Sequence, residues 1–418
     1  MEMRPGRDST LQQWLDYQLS IHPTEIEMGL GRVTDVARRL GVDSLPKSLV
    51  VTVAGTNGKG STCAMLESVL AGAGYSVGVY SSPHMLKYNE RVRIGGKDAA
   101  DADLIAAFDA IETARGEISL TFFEYATLAG LMLFAAAEPD VVILEVGLGG
   151  RLDATNLINA DVAVITAVDL DHQAFLGNTR EAVGREKAGI FRENKAAVVG
   201  EADLPHTVLE VAAEKGARLY RVGQEFSYGD DGKLWHFQGQ LRSLKNLPLP
   251  QLPLPNAATV IAVLEQLPLN ISDEQIARGI AAARLTGRME QIASAPDIIL
   301  DVAHNPHAAR FLVKQLAAYD GKRIRAVCGM LKDKDIAGVM QIMTPVISDW
   351  YLVSLGGERG ASADTLRDCL PASANVRCFA GMDEARDAVL ADAGKDEVVI
   401  VFGSFYTVSG FKSLMGGN

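Results

Sequence analysis

The stretch Ala54-Gly-Thr-Asn-Gly-Lys-Gly-Ser-Thr62 packs three glycines around one lysine and closes on two hydroxyls. Gly55, Gly58 and Gly60 permit backbone angles that other residues resist and let a ligand approach the main chain. Several N–H groups can then converge on phosphate, helped by the positive end of a following helix. Lys59 offers a mobile point charge near the terminal phosphates, and Ser61 or Thr62 a hydroxyl near a metal. The spacing departs from the usual phosphate loop, since only Thr56 and Asn57 separate Gly55 from Gly58-Lys59, and Gly60 intervenes before Ser61. A ligand-free strand–helix turn is the competing reading; the neighbouring residues weigh against it.

Three further stretches put polar groups directly behind apolar runs. YSSPHML carries Ser81, Ser82 and His84. DVVILEVGLGGRLDATN carries Glu145, then Gly147, Gly149, Gly150, Arg151 and Asp153. AVDLDHQAFLG carries His172. Ligands of open parallel sheets gather beyond the carboxyl ends of the strands, where these groups would lie. Glu145 suits magnesium directly or through water, or else a helix cap or an ion pair with Arg151. A lone histidine is commonly structural, and magnesium favours oxygen, so His172 is not selected as a ligand by its type. Lys187, in REKAGIF, reads equally as a solvated helix charge.

These residues need a scaffold of alternating strands and helices. Strands are expected at Leu49–Ala54, Val77–Ser81, Asp140–Glu145, Val162–Val168 and Ala196–Val199, apolar enough to be buried on both faces. KLWHFQG, around 233–239, reads as an added antiparallel segment, and NLPLPQLPLPNAATVIAVLEQL as an extended stretch leading into a helix. The alternation restarts after LTGRMEQIASAPD, with strands at Ile298–Leu300, Arg325–Cys328, Trp350–Val353, Val376–Phe379 and Val398–Phe402. The expected fold is therefore α/β: a mostly parallel N-terminal sheet with flanking helices over 1–286, a linker over 287–297, and a smaller α/β domain over 298–418.

Composition narrows the class. With 48% hydrophobic and 22% charged residues among 418, the chain has ample material for globular cores. A formal charge of −12 and no long basic block exclude a general nucleic-acid binder, so an anionic substrate needs a local basic pocket. Cys63, Cys328, Cys369 and Cys378 form no CxxC or zinc spacing and suit a reducing compartment. The opening MEMRPGRDSTLQQW has no apolar run behind its arginines, and Tyr125–Ala137 is too short to span a bilayer. A cytoplasmic address and no membrane association are expected.

Taken together and in order, TNGKGS, SSPH, ERVRI, TFFEYATL, LEVGLGGRLDATN, LDH, REKAGI, PNAAT, TGR, DVAHNPHA, GMLKDKD and FGSFYTVS resemble the folylpolyglutamate synthase and dihydrofolate synthase family, a branch of the Mur ligase-like enzymes. The resemblance spans nearly the whole chain. It implies an ATP-dependent carbon–nitrogen ligase: the γ-phosphate passes to a carboxylate of dihydropteroate or a reduced folate, and the amine of L-glutamate attacks the acyl phosphate.

Carried over residue by residue, the resemblance implies that Thr56, Asn57, Gly58, Lys59, Gly60 and Ser61 form the ATP loop. Ser82, Glu145 and His172 match magnesium positions, and Lys187 matches a lysine that is carbamylated in related enzymes, suiting a second Mg2+. Asn256, Arg288 and Asp301 match ATP contacts, and His304 faces the nucleotide side. Lys59, Lys187 and His172 are the expected catalytic groups. The substrate walls are Glu27, Met28, Gly29 and Leu30, then Thr121, Phe122, Phe123 and Glu124, then Leu152, Asp153 and Ala154. If 121–124 were a strand, the two phenylalanine rings would face opposite ways. A monomer is expected. The alternatives are another Mur-like amino-acid ligase or a nucleotide-driven binding protein.

Overall fold

Near-continuous Val, Ile and Leu at 49–54, 141–145, 162–165 and 196–199 cannot face water on either side, and these runs become the middle of an eight-stranded sheet. The computed structural model describes residues 4–22, 24 and 26–416, and no helix among them is long and apolar enough to cross a membrane. The sheet contains β1 (Leu49–Ala54), β2 (Val77–Tyr80), β3 (Val92–Ile94), β4 (Lys97–Asp98), β5 (Val141–Glu145), β6 (Val162–Ile165), β7 (Ala196–Val199) and β8 (Arg218–Arg221). Their order is β4-β3-β2-β5-β1-β6-β7-β8, parallel except for the antiparallel β3 and β4 at one edge. β1 lies between β5 and β6, with Val53 opposite Glu145 and Ala54 opposite Ile165. The chain leaves β1 toward one side and returns to fill the other, which opens a crevice at the carboxyl ends.

Helices cover both faces. On one side Trp14, Val36, Phe108, Tyr125 and Phe134 share a core with Val142 and Leu144. On the other, Val183, Ile190, Phe191 and Val208 pack on Ala163, Ile165 and Val199. A small antiparallel sheet follows, β9 (Ser227–Asp230), β10 (Leu234–Gln238) and β11 (Ser243–Pro248), with β10 in the middle.

Contacts divide the chain into units 1–283 and 284–418. The second has its own sheet of β12 (Glu290–Ser294), β13 (Asp297–Leu300), β14 (Ile324–Cys328), β15 (Asp349–Val353), β16 (Asn375–Phe379) and β17 (Val398–Phe402), in the order β12-β13-β17-β14-β15-β16. Its core holds Ile299, Leu312, Met340, Trp350, Ile400 and Phe402. The stretch 287–297, expected as a linker, carries the antiparallel edge strand β12. Its partly exposed residues give it no buried-strand signal, and pairing with β13 is what orders it. The strand expected over 162–168 ends at Ile165, because beyond it Ala167 and Asp169 turn their carbonyls to the glycine loop.

Candidate active site

The glycine loop is stitched in place by the segment after β6. Thr56 donates its N–H to Ala167 O (2.8 Å) and its hydroxyl to Asp169 O (2.9 Å), and Thr166 Oγ1 donates to Asn57 O (2.6 Å). A β-carbon on Gly55 would lie 1.9 Å from Thr166 Oγ1, so only glycine fits there. Gly58, at φ 89°, begins the helix Lys59–Gly72 and has no side chain with which to cap it. The first N–H groups of that helix are thus left for an outside acceptor. Lys59 Nζ folds back on Gly55 O at 2.9 Å. Ser61 is buried, and Thr62 Oγ1 is buried without a hydrogen-bond partner. An orphaned hydroxyl beside uncapped amides suits a phosphate with its counter-ion.

Asn256, in the first turn of the helix Leu254–Leu264, closes the loop from above. A β-carbon on Gly58 would sit 2.7 Å from Asn256 Oδ1 and 2.8 Å from its Nδ2. Gly58→Ala is expected to destabilise the fold by about 1–2 kcal/mol through the left-handed backbone alone. It should also weaken ATP binding, measured by calorimetry; unchanged affinity in the folded variant would contradict the loop's role.

Around this loop the neighbouring strands deliver their polar ends. Glu145, last in β5, is buried, and Ser82 follows β2. His172 takes a left-handed backbone (φ 48°, ψ 45°) ahead of the short helix Gln173–Leu176, a conformation a non-glycine residue adopts only when its surroundings hold it. Asp171 Oδ1 accepts the His172 N–H at 2.9 Å. Lys187 is buried on the helix Arg180–Ala188, which the glycine-rich loop after β5 grips: Arg151 N–H donates to Glu186 O (2.8 Å) and the Arg151 guanidinium to Glu186 Oε1. Burial, and then the charge of Lys59, push the Lys187 amine down to about 7, with Asp171 and Asp153 opposing. Among the described residues no group of three or more His, Cys, Asp and Glu side chains could hold a metal by itself.

Three segments converge beside it. Phe122 and Phe123 open the helix Phe122–Ala137 instead of lying on a strand, because Thr121 and Glu124 form a capping box. Their rings therefore splay around a helix: Phe123 meets Tyr80 (5.9 Å between centroids), and Phe122 meets Tyr88 (5.6 Å). A β-carbon on Gly147 would lie 2.7 Å from the Phe123 ring, and one on Gly149 would lie 3.5 Å from Met28 Cε. Asp153 spends both oxygens on its own loop, accepting from Gly147 N, Leu148 N, Thr155 N and Thr155 Oγ1. Burial still raises its carboxyl. Leu152 is half-buried and Ala154 buried beside it, while Glu27, Met28, Gly29 and Leu30 are half-buried or exposed.

In the second unit, Arg288 lies over the Phe405 ring at 5.3 Å. Asp301, at the end of β13, is buried and accepts from Met289 N (3.0 Å) and Ala303 N (2.9 Å). Burial raises its carboxyl despite the nearby Arg288 charge. His304 Nδ1 is 2.8 Å from Val302 O, and Asn305, not His304, caps the helix Pro306–Leu316.

Residues 53–241 match the Mur ligase middle domain and 287–405 the Mur ligase glutamate ligase domain. The dihydrofolate synthase/folylpolyglutamate synthase of Escherichia coli (strain K12) is 51% identical over 406 residues, 97% of this chain and 95% of that one. The chain belongs to the dihydrofolate synthase/folylpolyglutamate synthase family. Like that family, it is an ATP-dependent ligase of the Mur type. The structure of E. coli FolC in complex with DHPP and ADP superposes on the ligase with a TM-score of 0.95, at 50% identity over 99% of each chain. A bifunctional folylpolyglutamate synthase/dihydrofolate synthase with Mn, AMPPNP and L-glutamate bound gives 0.93, at 49% identity, covering 99% of this ligase and 100% of that chain.

Two residues within the motifs ERVRI and LDH take part in the site without a role assigned from sequence. Arg91 is buried, stacks over Tyr88 and Phe122 (5.5 and 5.3 Å), and donates from Nε to His84 Nδ1 at 2.9 Å. Burial, reinforced by Arg91, lowers His84 to about 4, so its imidazole stays neutral and can accept that bond. Asp171 accepts the His172 N–H and its charge opposes the lowering of the Lys187 amine. Neither residue has a spacing signal, because each acquires its partners from other elements of the fold.

Proposed function

We propose that this chain joins L-glutamate to dihydropteroate and adds further glutamates to reduced folates, cleaving ATP through an acyl phosphate. One observation carries the reading: the helix after the glycine loop starts at Gly58 with no side-chain cap, with Lys59 Nζ on Gly55 O and Thr62 Oγ1 buried without a partner beside it. A carboxylate is a weak nucleophile, and a triphosphate repels it. The loop amides from Gly58 to Ser61, with Thr56 and Asn57 shaping them, hold the phosphates, and Lys59 draws charge off the γ-phosphate as it moves. The pterin carboxylate attacks that phosphorus and ADP leaves. The glutamate amine then attacks the acyl carbon, and phosphate departs as the amide forms.

Ser82, Glu145 and His172 are assigned to Mg2+, whose charge, when bound, offsets the repulsion between the two anions. Lys187 is assigned to a second ion. Its neutral amine can attack CO2 and lose a proton, giving an anionic oxygen donor. Asn256, Arg288, Asp301 and His304 are assigned to ATP. The pterin lies against Glu27–Leu30, Thr121–Glu124 and Leu152–Ala154, with the Phe123 ring offering a face for stacking. All assigned residues belong to one chain, so the reading needs no partner copy.

Product mass analysis with dihydropteroate and tetrahydrofolate supplied separately tests both activities. Each should gain one glutamyl unit with ATP consumed, and muramyl substrates should be inert. The opposite selectivity would reject the assignment.

A further inference from the structure

We infer that Arg32 is a positioning residue that sets the spacing between two walls of the pterin site; this rests on the function proposed above. Arg32 sits in the first turn of the helix Gly31–Leu40, just after the wall Glu27–Leu30. Its guanidinium reaches in two directions. Toward its own wall, Nη1 donates to Glu27 Oε1 and Nη2 to Glu27 O (3.3 Å). Toward the other wall, Nη2 donates to both oxygens of Glu124, at 3.2 and 3.4 Å.

Glu124 is not a spare surface carboxylate. It is buried, and its Oε2 accepts the Thr121 N–H at 2.7 Å, closing the capping box that directs Phe122 and Phe123. Glu27 in turn lies with its second oxygen 3.3 Å from His22 Nε2. One planar cation thus ties the carboxylate that orients the phenylalanine pair to the segment that brings Met28 against Gly149. The remaining Arg32 nitrogen, Nε, is buried with no partner, so the guanidinium is oriented by the two carboxylates and not by a saturated local network. A lysine could meet one carboxylate but could not span both from a single fork. Since Arg32 touches neither the phosphate loop nor Lys187, its loss should act on pterin binding and leave the nucleotide side alone.

The test is steady-state kinetics of Arg32→Gln, Arg32→Lys and Glu27→Gln with dihydropteroate, ATP and glutamate varied in turn. Arg32→Gln should raise KM for dihydropteroate by about 10-fold or more, with KM for ATP within about twofold of wild type. Arg32→Lys should fall between. Arg32→Gln combined with Glu27→Gln should be no worse than the poorer single variant, because both remove one tie. Arg38→Gln, an exposed arginine of the same helix, should match wild type. An unchanged dihydropteroate KM in folded Arg32→Gln overturns the inference, as does an equal rise in both KM values with a lowered Tm. Should Arg32→Gln not fold, the same criteria apply to Glu27→Gln, whose half-exposed side chain is easier to replace. Wild-type protein that releases no phosphate with dihydropteroate would overturn the proposed function itself, and this inference with it.

Discussion

Lys59→Ala lowers glutamate-dependent phosphate release by about 10²–10³-fold at saturating ATP, the loss typical when one preorganised charge or donor is removed from a developing anion. The Lys59 amine already rests on Gly55 O, inside the loop, so it needs little motion to reach a bound phosphate. Because that charge matters most while the γ-phosphate is in transit, kcat should fall far more than the affinity for ATP. A coupled phosphate assay together with ATP titration separates the two. Near-normal turnover with magnesium saturating would remove Lys59 from the mechanism.

Lys187→Met moves activity and stability in opposite directions. Loss of the amine should cut turnover by on the order of 10²-fold. In CO2-depleted buffer at neutral pH the variant should nevertheless melt higher, by roughly 2–4 °C for a gain of about 1 kcal/mol. The reason is the depressed folded-state value of about 7 against an ordinary 10.5. Between those values the unfolded chain holds a proton that the folded chain does not, so wild-type stability rises with pH across that window and falls as pH drops toward 7. Methionine has nothing to protonate, so the variant should lack that slope. Short carboxylic acids should partly restore turnover to Lys187→Ala if the working group is a carbamate oxygen. A flat wild-type stability profile from pH 7 to 10 would dispose of the buried neutral amine.

The phosphate loop was legible because its chemistry is local: three glycines, a lysine and three hydroxyls within nine residues can serve one purpose wherever the strand before them lies. The buried strands were legible for a similar reason, since a run such as Val141–Leu144 leaves no face for water. Two of the edge strands, β8 and β12, were not. β12 and β8 carry mixed, half-exposed residues, and only pairing to β13 and β7 makes them strands. For Phe122 and Phe123 the condition of a strand is not met. Two adjacent rings alternate only on a strand, whereas the Thr121–Glu124 capping box commits them to a helix.

By itself the order of residues determined the α/β class, the phosphate loop and, through a dozen ordered motifs, the kinship. It could not determine which polar groups meet. Lys187 is an ordinary helix lysine until the loop after β5 grips its helix and buries it near Lys59. Arg32 and Glu124 are 92 residues apart and become partners only when two helices pack on the same sheet face. Short-range chemistry is written in neighbouring letters. Burial and ion pairing depend on distances that exist only after the strands have taken their order.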